Sequence, residues 1–522
     1  MKLFPARLLA KATASQRRVT NALPAELLIE IASHLTWAID VLNFSLTSSQ
    51  LRNILLPQMY KSIYLFGGAW TGTLEMLAKR PELCVHVRRL GVDLIYEALR
   101  PERYEEGDIG QIATLIQKAL EGFSNLQTFT WSGKRLPPEY LFRAMRDACP
   151  QLKNIHCRAK SIQFDPESEL FKFDDLTRFS LWVAYEAETD EPLIWQEIPV
   201  QLCDMLLQRC PDLVSLSIRL QSMHSIMVHQ LDTLLSGVWP KLEYFDLDIE
   251  VIDSDPISFW PPLGTLSFLS AHPCITHLGL TAYSIFPMVF FREHLPSCFE
   301  PDASSEFTYF EGLLQHLAGL PNPAALKILV LSTVVTETSL ERMLPVFWGL
   351  TSLKELAIEF AEIEAPCAAI HHIVSACPNL TKFHVKFCET TFTSSQLIEM
   401  SAQLKHLARL RCLHFDKVFS ATSGTMLNAA LILLGNIPSL QEICILNFMA
   451  HNWYQRGHYM TLTGARGRKL IAARESGLDR DYPKGKFLSR IYPRGKFSRT
   501  FRYSLERDVL GSISKKFKRI RR

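Results

Sequence analysis

Residue types that often carry chemistry are present in this 522-residue chain, but their spacing assembles no reaction. His371-His372 is an adjacent pair in a segment with helical periodicity. Neighbours on a helix point about 100° apart, so the two imidazoles cannot grip one metal ion. Cys149, Cys210 and Cys377 each precede a proline at the same phase of a repeating pattern. A nucleophile is not needed three times over, whereas a small apolar residue closing a helix is. The twelve cysteines are scattered without a CxxC pair, which suits reduced, buried thiols better than a disulfide frame or a zinc site. Gly67-Gly68 and Gly464-Ala465-Arg466-Gly467 lack the strand before and helix after that a phosphate loop requires, and no GxSxG, HExxH or DxDxDG string occurs. The expectation is a chain that is not an enzyme, with no catalytic residue, no metal ligand and no cofactor.

With no chemistry to position, the informative elements are apolar patterns. From Leu23 to Leu65 the chain reads LPAELLIEIASHLTWAIDVLNFSLTSSQLRNILLPQMYKSIYL. Pro24 suits a helix start because its missing N–H would be unpaired there, and Glu26 suits the positive end of the helix dipole. Leu27, Ile31 and Leu35 then follow at i, i+4 and i+8 on one face. Asp40 is placed to cap a second helix in which Leu42 and Leu46 share a side, and Pro57 is expected to end a third short turn beginning near Ser49. A unit of this size has too little interior to hold itself firmly, so its apolar surface calls for completion by something else.

This order of features resembles the F-box: the pattern LPxELLxxI, an acidic residue ahead of a leucine, and Ser45-Leu46-Thr47-Ser48-Ser49-Gln50-Leu51-Arg52 as SLxSxxLR. The resemblance implies three helices that dock onto a Skp-type adaptor, and through it onto a cullin-RING ubiquitin ligase. It places Leu23, Pro24, Leu27, Ile31, Leu35, Leu42, Leu46 and Leu51 in the adaptor-binding set.

A second pattern runs from Phe66 to Phe448. FSNLQTFTW, CPQLKNIHC, CPDLVSLSIRL, WPKLEYFDLDI and HPCITHLGL share one outline with NPAALKILVLS, LTSLKELAIEF, CPNLTKFHVKF, LARLRCLHFD and IPSLQEICIL. Each reads as a helix end, a turn often marked by Pro, and then Leu-x-x-Leu-x-Leu or a close variant. From Leu326 the marks fall at Leu353, Leu380, Leu410 and Leu440, at intervals of 27, 27, 30 and 30 residues. Strands and helices this short cannot bury their apolar faces alone, so stacked neighbours must share one core. The outline resembles the leucine-rich repeats that F-box proteins carry. Ile275 to Leu326 is too long for one repeat; part of it, with Pro287, Pro296, Pro301 and Asp302-Ala303-Ser304-Ser305, is expected to be an insertion, as is the acidic Ala184 to Glu197.

At 48% hydrophobic and 21% charged residues the composition is that of a soluble globular protein, and runs such as Ala429 to Leu434 are far too short to span a membrane. Met1 to Asn21 carries Lys2, Arg7, Lys11, Arg17 and Arg18 and no acid. A mitochondrial transit segment shares that pattern; a plain basic leader is preferred, because a ligase adaptor has no work in that organelle. From Arg456 onward there are 20 Lys or Arg against 5 Asp or Glu, a local +15 that leaves −12 on the rest (36 basic, 48 acidic). YPKGKF and YPRGKF repeat there, and the chain ends KKFKRIRR. This stretch is expected to lack a stable core and to be open to importin, nucleic acid or anionic lipid, or simply to be a solvated tail.

The expected fold class is α/β: a basic leader (1–20), a three-helix F-box-like module (21–65), an irregular leucine-rich-repeat solenoid (66–450) and a disordered basic tail (451–522). The expected function is a substrate-recognition adaptor of a Skp-cullin-F-box ligase in cytoplasm or nucleus, with an unknown substrate protein on the repeats. Two rivals stand beside it: an interaction scaffold in which the helical module only caps the solenoid, and a nucleic-acid-associated protein led by the tail.

Overall fold

The computed structural model describes residues 23–479 apart from 36–37, 67–69, 95–106, 160–164, 184–198, 224–227, 252–264, 285–305, 318, 321, 362, 419–425, 450–452 and 465–466. Two compact units divide the chain, Met1–Glu250 with Pro262–Cys274, and Val251–Pro261 with Ile275–Arg522.

Both units are stacks of strand and helix. The first holds β1 (Ser62–Phe66), β2 (Arg89–Asp93), β3 (Thr128–Gly133), β4 (Asn154–Ala159), β5 (Arg178–Val183), β6 (Ser215–Met223) and β7 (Tyr244–Val251), hydrogen-bonded in chain order. The pairs from β1 to β6 are parallel and in simple register. The second holds β8 (His277–Ser284), β9 (Tyr309–Gly312), β10 (Ile328–Val335), β11 (Glu355–Phe360), β12 (Lys382–Thr391), β13 (Cys412–Val418) and β14 (Glu442–Met449), all parallel. This is the α/β architecture of a leucine-rich-repeat solenoid.

The repeat sequence explains the stack. Leu326, Leu353, Leu380, Leu410 and Leu440 are all fully enclosed. After each of these leucines the chain turns into its strand, and two successive N–H groups donate to one carbonyl of the preceding repeat. Lys354 and Glu355 bond Lys327 O, Thr381 and Lys382 bond Lys354 O, and Arg411 and Cys412 bond Thr381 O. The leucine thus plugs the core while the next residues start the ladder, and a period of 27 to 30 residues follows from repeating that step.

Four strands lie where the LxxLxL outline is not read. β2 follows Val87 and buries Leu90 and Val92, β5 buries Phe179 and Leu181 after Leu176, and β9 buries Phe310 after Phe307; β1 is the fourth. Phe and Val fill the leucine sites in three of these. β9 supplies a further strand within the interval Ile275 to Leu326, too long for one repeat, because His277 pairs with Tyr309 and Tyr309 with Ile328. Residues 285–305 and 184–198, the expected insertions, lie outside the described residues.

The basic tail also differs from expectation at its start. Trp453–Gly464 (β15) and Gly467–Asp479 (β16) form an antiparallel pair, with β15 hydrogen-bonded along β14. An unpaired edge on β14 would leave a row of backbone donors and acceptors open, and β15 satisfies them. Residues 480–522 lie outside the described residues.

The thiols behave as core groups. Cys149, Cys210 and Cys377 are C-cap residues of their helical segments and are buried, and burial pushes their thiols up to about 12, about 11 and about 12. Among the described residues no group of His, Cys, Asp or Glu is placed to hold a metal ion, and no helix is long and apolar enough to cross a membrane.

One buried group sets a pH dependence. His316 is 1% exposed, neither ring nitrogen has a hydrogen-bond partner, and burial pushes its pKa down to about 4. The unfolded chain takes up this proton first as pH falls, so the stability is complete above about pH 6.5 and is lost between there and pH 4. At about 1.4 kcal/mol per unit the loss reaches roughly 3 kcal/mol. Urea melts at pH 7.5 and pH 4.5 measure it, and His316→Leu should flatten the difference.

Candidate partner-docking site

Three helices precede the first strand: α1 (Ala25–His34), α2 (Ala38–Ser45) and α3 (Ser49–Tyr60). Pro24 occupies the N-cap position of α1 and its carbonyl accepts from the Leu28 N–H at 3.2 Å, with Glu26 in the first turn. α2 starts two residues before Asp40, which therefore stands in the first turn as a favourable charge, where a cap was expected. At α3 the cap is Ser48, whose Oγ accepts from the Leu51 N–H at 3.1 Å.

Pro57 does not end the third helix, which continues to Tyr60. The proline removes only the N–H that would meet the Asn53 carbonyl, and Asn53 and Pro57 are both exposed, so water can bond that oxygen.

The module closes a small core of its own. Leu28, Ala32, Leu51 and Leu55 are buried together, and Leu23, Phe44 and Ile54 pack against them. A second apolar set faces out: Leu27 is 49% exposed, Ile31 43%, Leu42 38% and Leu46 56%. Leu27 and Ile31 are one turn apart on α1. Leu42 and Leu46 are one turn apart on α2 and its exit, where the Leu46 N–H still donates to the Leu42 carbonyl at 3.0 Å.

Of the eight residues in the expected adaptor-binding set, Pro24, Leu27, Ile31, Leu42 and Leu46 are exposed, Leu23 and Leu35 are half-buried, and Leu51 is enclosed at 1%. Leu51 therefore holds the helices together and presents nothing to a partner. Ile29, 41% exposed, was not in that set. Only three-dimensional placement separates Leu27 from its neighbour Leu28.

The residues that looked most like chemistry stay apart from any site. His371 and His372 are exposed on the helix Pro366–Ala376 with ring centroids 6.0 Å apart, and His371 Nδ1 meets Gln403 Oε1 at 2.9 Å.

No protein-family model matches this chain, and no curated protein matches it. Solved structures similar in part include the following two. One is the leucine-rich repeat-containing protein LegL7 from Legionella pneumophila, 12% identical over 63% of this chain and 87% of that one, with a TM-score of 0.31. The other is the Rad7 and Elc1 complex in yeast, 14% identical over 76% of this chain and 96% of that one, also at 0.31.

Proposed function

We propose that this chain is the substrate-recognition adaptor of a Skp-cullin-F-box ubiquitin ligase. In this reading α1 and α2 dock a Skp-type adaptor, and the strand-lined repeats hold a client protein. The observation that carries it is the pair of apolar sets in one small module: one closes the core, while Leu27, Ile31, Leu42 and Leu46 stay in water beside the LPxELLxxI start. Each outward side chain is already about half covered, so completing its burial on a partner contributes roughly 1 kcal/mol.

The chain then catalyses nothing itself. Holding a client beside a ubiquitin-loaded enzyme raises the local concentration of the attacking lysine amine, an effective-molarity gain that needs no reactive group here. Such an adaptor works in cytoplasm or nucleus. Affinity purification with mass spectrometry tests the reading by reporting adaptor and client together: a Skp-type adaptor and a cullin in the eluate support it, and their absence counts against it.

The packing of α3 favours a second reading, because α3 lies on β1 and on the short helix Pro81–Cys84. A repeat array needs its open end covered, and α3 supplies that cover. Deleting residues 1–47 removes α1 and α2 and keeps Ser48 and α3. We expect the truncated chain to stay soluble with its strands protected, to lose amide protection in α3 because Leu51 and Leu55 lose the cover of Leu28 and Ala32, and to lose the adaptor. Aggregation would instead make the whole module a cap.

A further inference from the structure

We propose that residues 501–510 of the basic tail dock as a helix on Met426–Asn436 and close the helix layer of the second unit, with Phe501, Leu505 and Val509 covering Leu427 and Leu431. This closure is independent of the Skp-type adaptor, whose proposed contacts are on α1 and α2.

The helix layer of the second unit repeats one contact. The helices α4 (Glu337–Gly349), α5 (Pro366–Ala376), α6 (Ser394–Leu404) and α7 (Met426–Asn436) pack in chain order, each on the next. Thirteen residues before the repeat leucines Leu353, Leu380, Leu410 and Leu440 stand Leu340, Cys367, Leu397 and Leu427. Nine residues before them stand Leu344, His371, Ser401 and Leu431. These two positions meet the following helix. Cys367 Sγ donates to the Gln396 carbonyl of α6 at 3.6 Å, His371 Nδ1 meets Gln403 Oε1 of α6 at 2.9 Å, and Ser401 Oγ accepts from Asn436 Nδ2 of α7 at 2.9 Å.

On α7, the last helix among the described residues, the pattern breaks. Leu340, Cys367 and Leu397 are 2%, 8% and 1% exposed, whereas Leu427 is 36% and Leu431 48% exposed. The two leucines lie one turn apart, so an apolar strip faces water where earlier helices have a neighbour. The strand layer meanwhile continues past β14 into β15 and β16. A repeat stack needs cover at its end, and here β15 and β16 cover the strands while α7 keeps its outer face bare.

The chain supplies a segment suited to that strip. After Asp479 come 43 more residues. Among them Phe501, Leu505 and Val509 recur at i, i+4 and i+8, with Arg502, Glu506 and Arg507 off that face. Thr500 stands ahead of them as a capping hydroxyl and Gly511 behind them as a stop. The exit of the chain also suits it. β15 runs against β14 and β16 against β15, so β16 ends at the same end of the sheet as β14. From that end the earlier repeats enter their helices, as where β12 ends at Thr391 and α6 begins at Ser394. Residues 480–500 reach up to about 70 Å when extended, ample for the crossing. Tethering gives the segment an effective concentration on the order of millimolar, an advantage that a second copy or a client helix lacks.

The test places the photoreactive aromatic p-benzoylphenylalanine at Phe501 of the full-length chain and maps its cross-links by mass spectrometry, in an equal mixture of isotope-labelled and unlabelled chains. Cross-links are expected within residues 426–436 and within one chain. Leu427→Asp with Leu431→Asp should lower their yield at least tenfold, and Leu505→Asp with Val509→Asp should do the same. The second pair leaves α7 itself unaltered, so its effect reports lost contact rather than an unfolded helix. Amide exchange of α7 should rise at least tenfold in that variant, while β10 to β13 keep their protection. Val238→Asp, at a 61% exposed site of the first unit, should leave the yield within twofold. Three results would overturn the proposal: no cross-link within residues 426–436, an unchanged yield in either Asp pair, or cross-links that join labelled to unlabelled chains, which would make the occupant a second copy.

Discussion

Changing Leu27, Ile31 and Leu46 together to Asp weakens capture of a purified Skp-type adaptor at least 100-fold, or about 2.8 kcal/mol, and leaves the melting curve of the chain as it was. The three side chains are 49%, 43% and 56% exposed, so charge on them is solvated in the free protein and costs the fold little. In a complex the same carboxylates would enter an apolar contact without partners, where even a neutral polar group costs about 1 to 3 kcal/mol by mutational data and an ionised one costs more. Neighbouring effects do not add simply, so the bound of 100-fold is set below their sum. Leu23→Ala with Pro24→Ala is the milder form, because Leu23 is partly packed into the module while Pro24 is exposed at the start of α1. Retention of the adaptor by the triple variant would sink the docking face, since it removes three of the four outward aliphatic side chains that the reading rests on.

Leu51→Ala produces the opposite pattern. Leu51 is 1% exposed and shares a four-residue core with Leu28, Ala32 and Leu55. Truncation there loses about 2 to 5 kcal/mol, a large share of what a module of this size has. Amide exchange in residues 25–60 should rise by two orders of magnitude or more, while the strands of the second unit keep their protection. Adaptor binding then falls because the helices no longer hold their surface together. The two variants separate surface from core: the Asp variant loses the partner with protected amides, and the Ala variant loses both. Unchanged exchange in Leu51→Ala would show that the packing described for α1 to α3 does not hold the module.

Much of the fold is legible in the chain because one physical step is written repeatedly. A leucine that plugs the core two residues before its strand begins recurs as Leu126, Leu152, Leu213, Leu242, Leu326, Leu353, Leu380, Leu410 and Leu440, and all nine are buried. The strands β2, β5 and β9 are harder to read because Val87 and Phe307 plug the core in place of leucine ahead of β2 and β9, Phe179 and Phe310 fill the leucine sites within β5 and β9, and long connections break the period around them. β15 and β16 are hidden by their charge, which reads as a solvated arm until the edge of β14 is known to need a partner.

The site is legible only in part. Helical spacing marks α1 and α2 as apolar, yet Leu27 and Leu28 are adjacent and only packing decides that one faces water and the other the core.

The most direct test of the docking claim is hydrogen–deuterium exchange of the full-length chain with and without a purified Skp-type adaptor. The account predicts a complex in which amides of α1 and α2 gain protection, with the repeats unchanged. No gain in residues 25–46 at saturating adaptor would contradict it, and leave the helical module as the end cover of a repeat array.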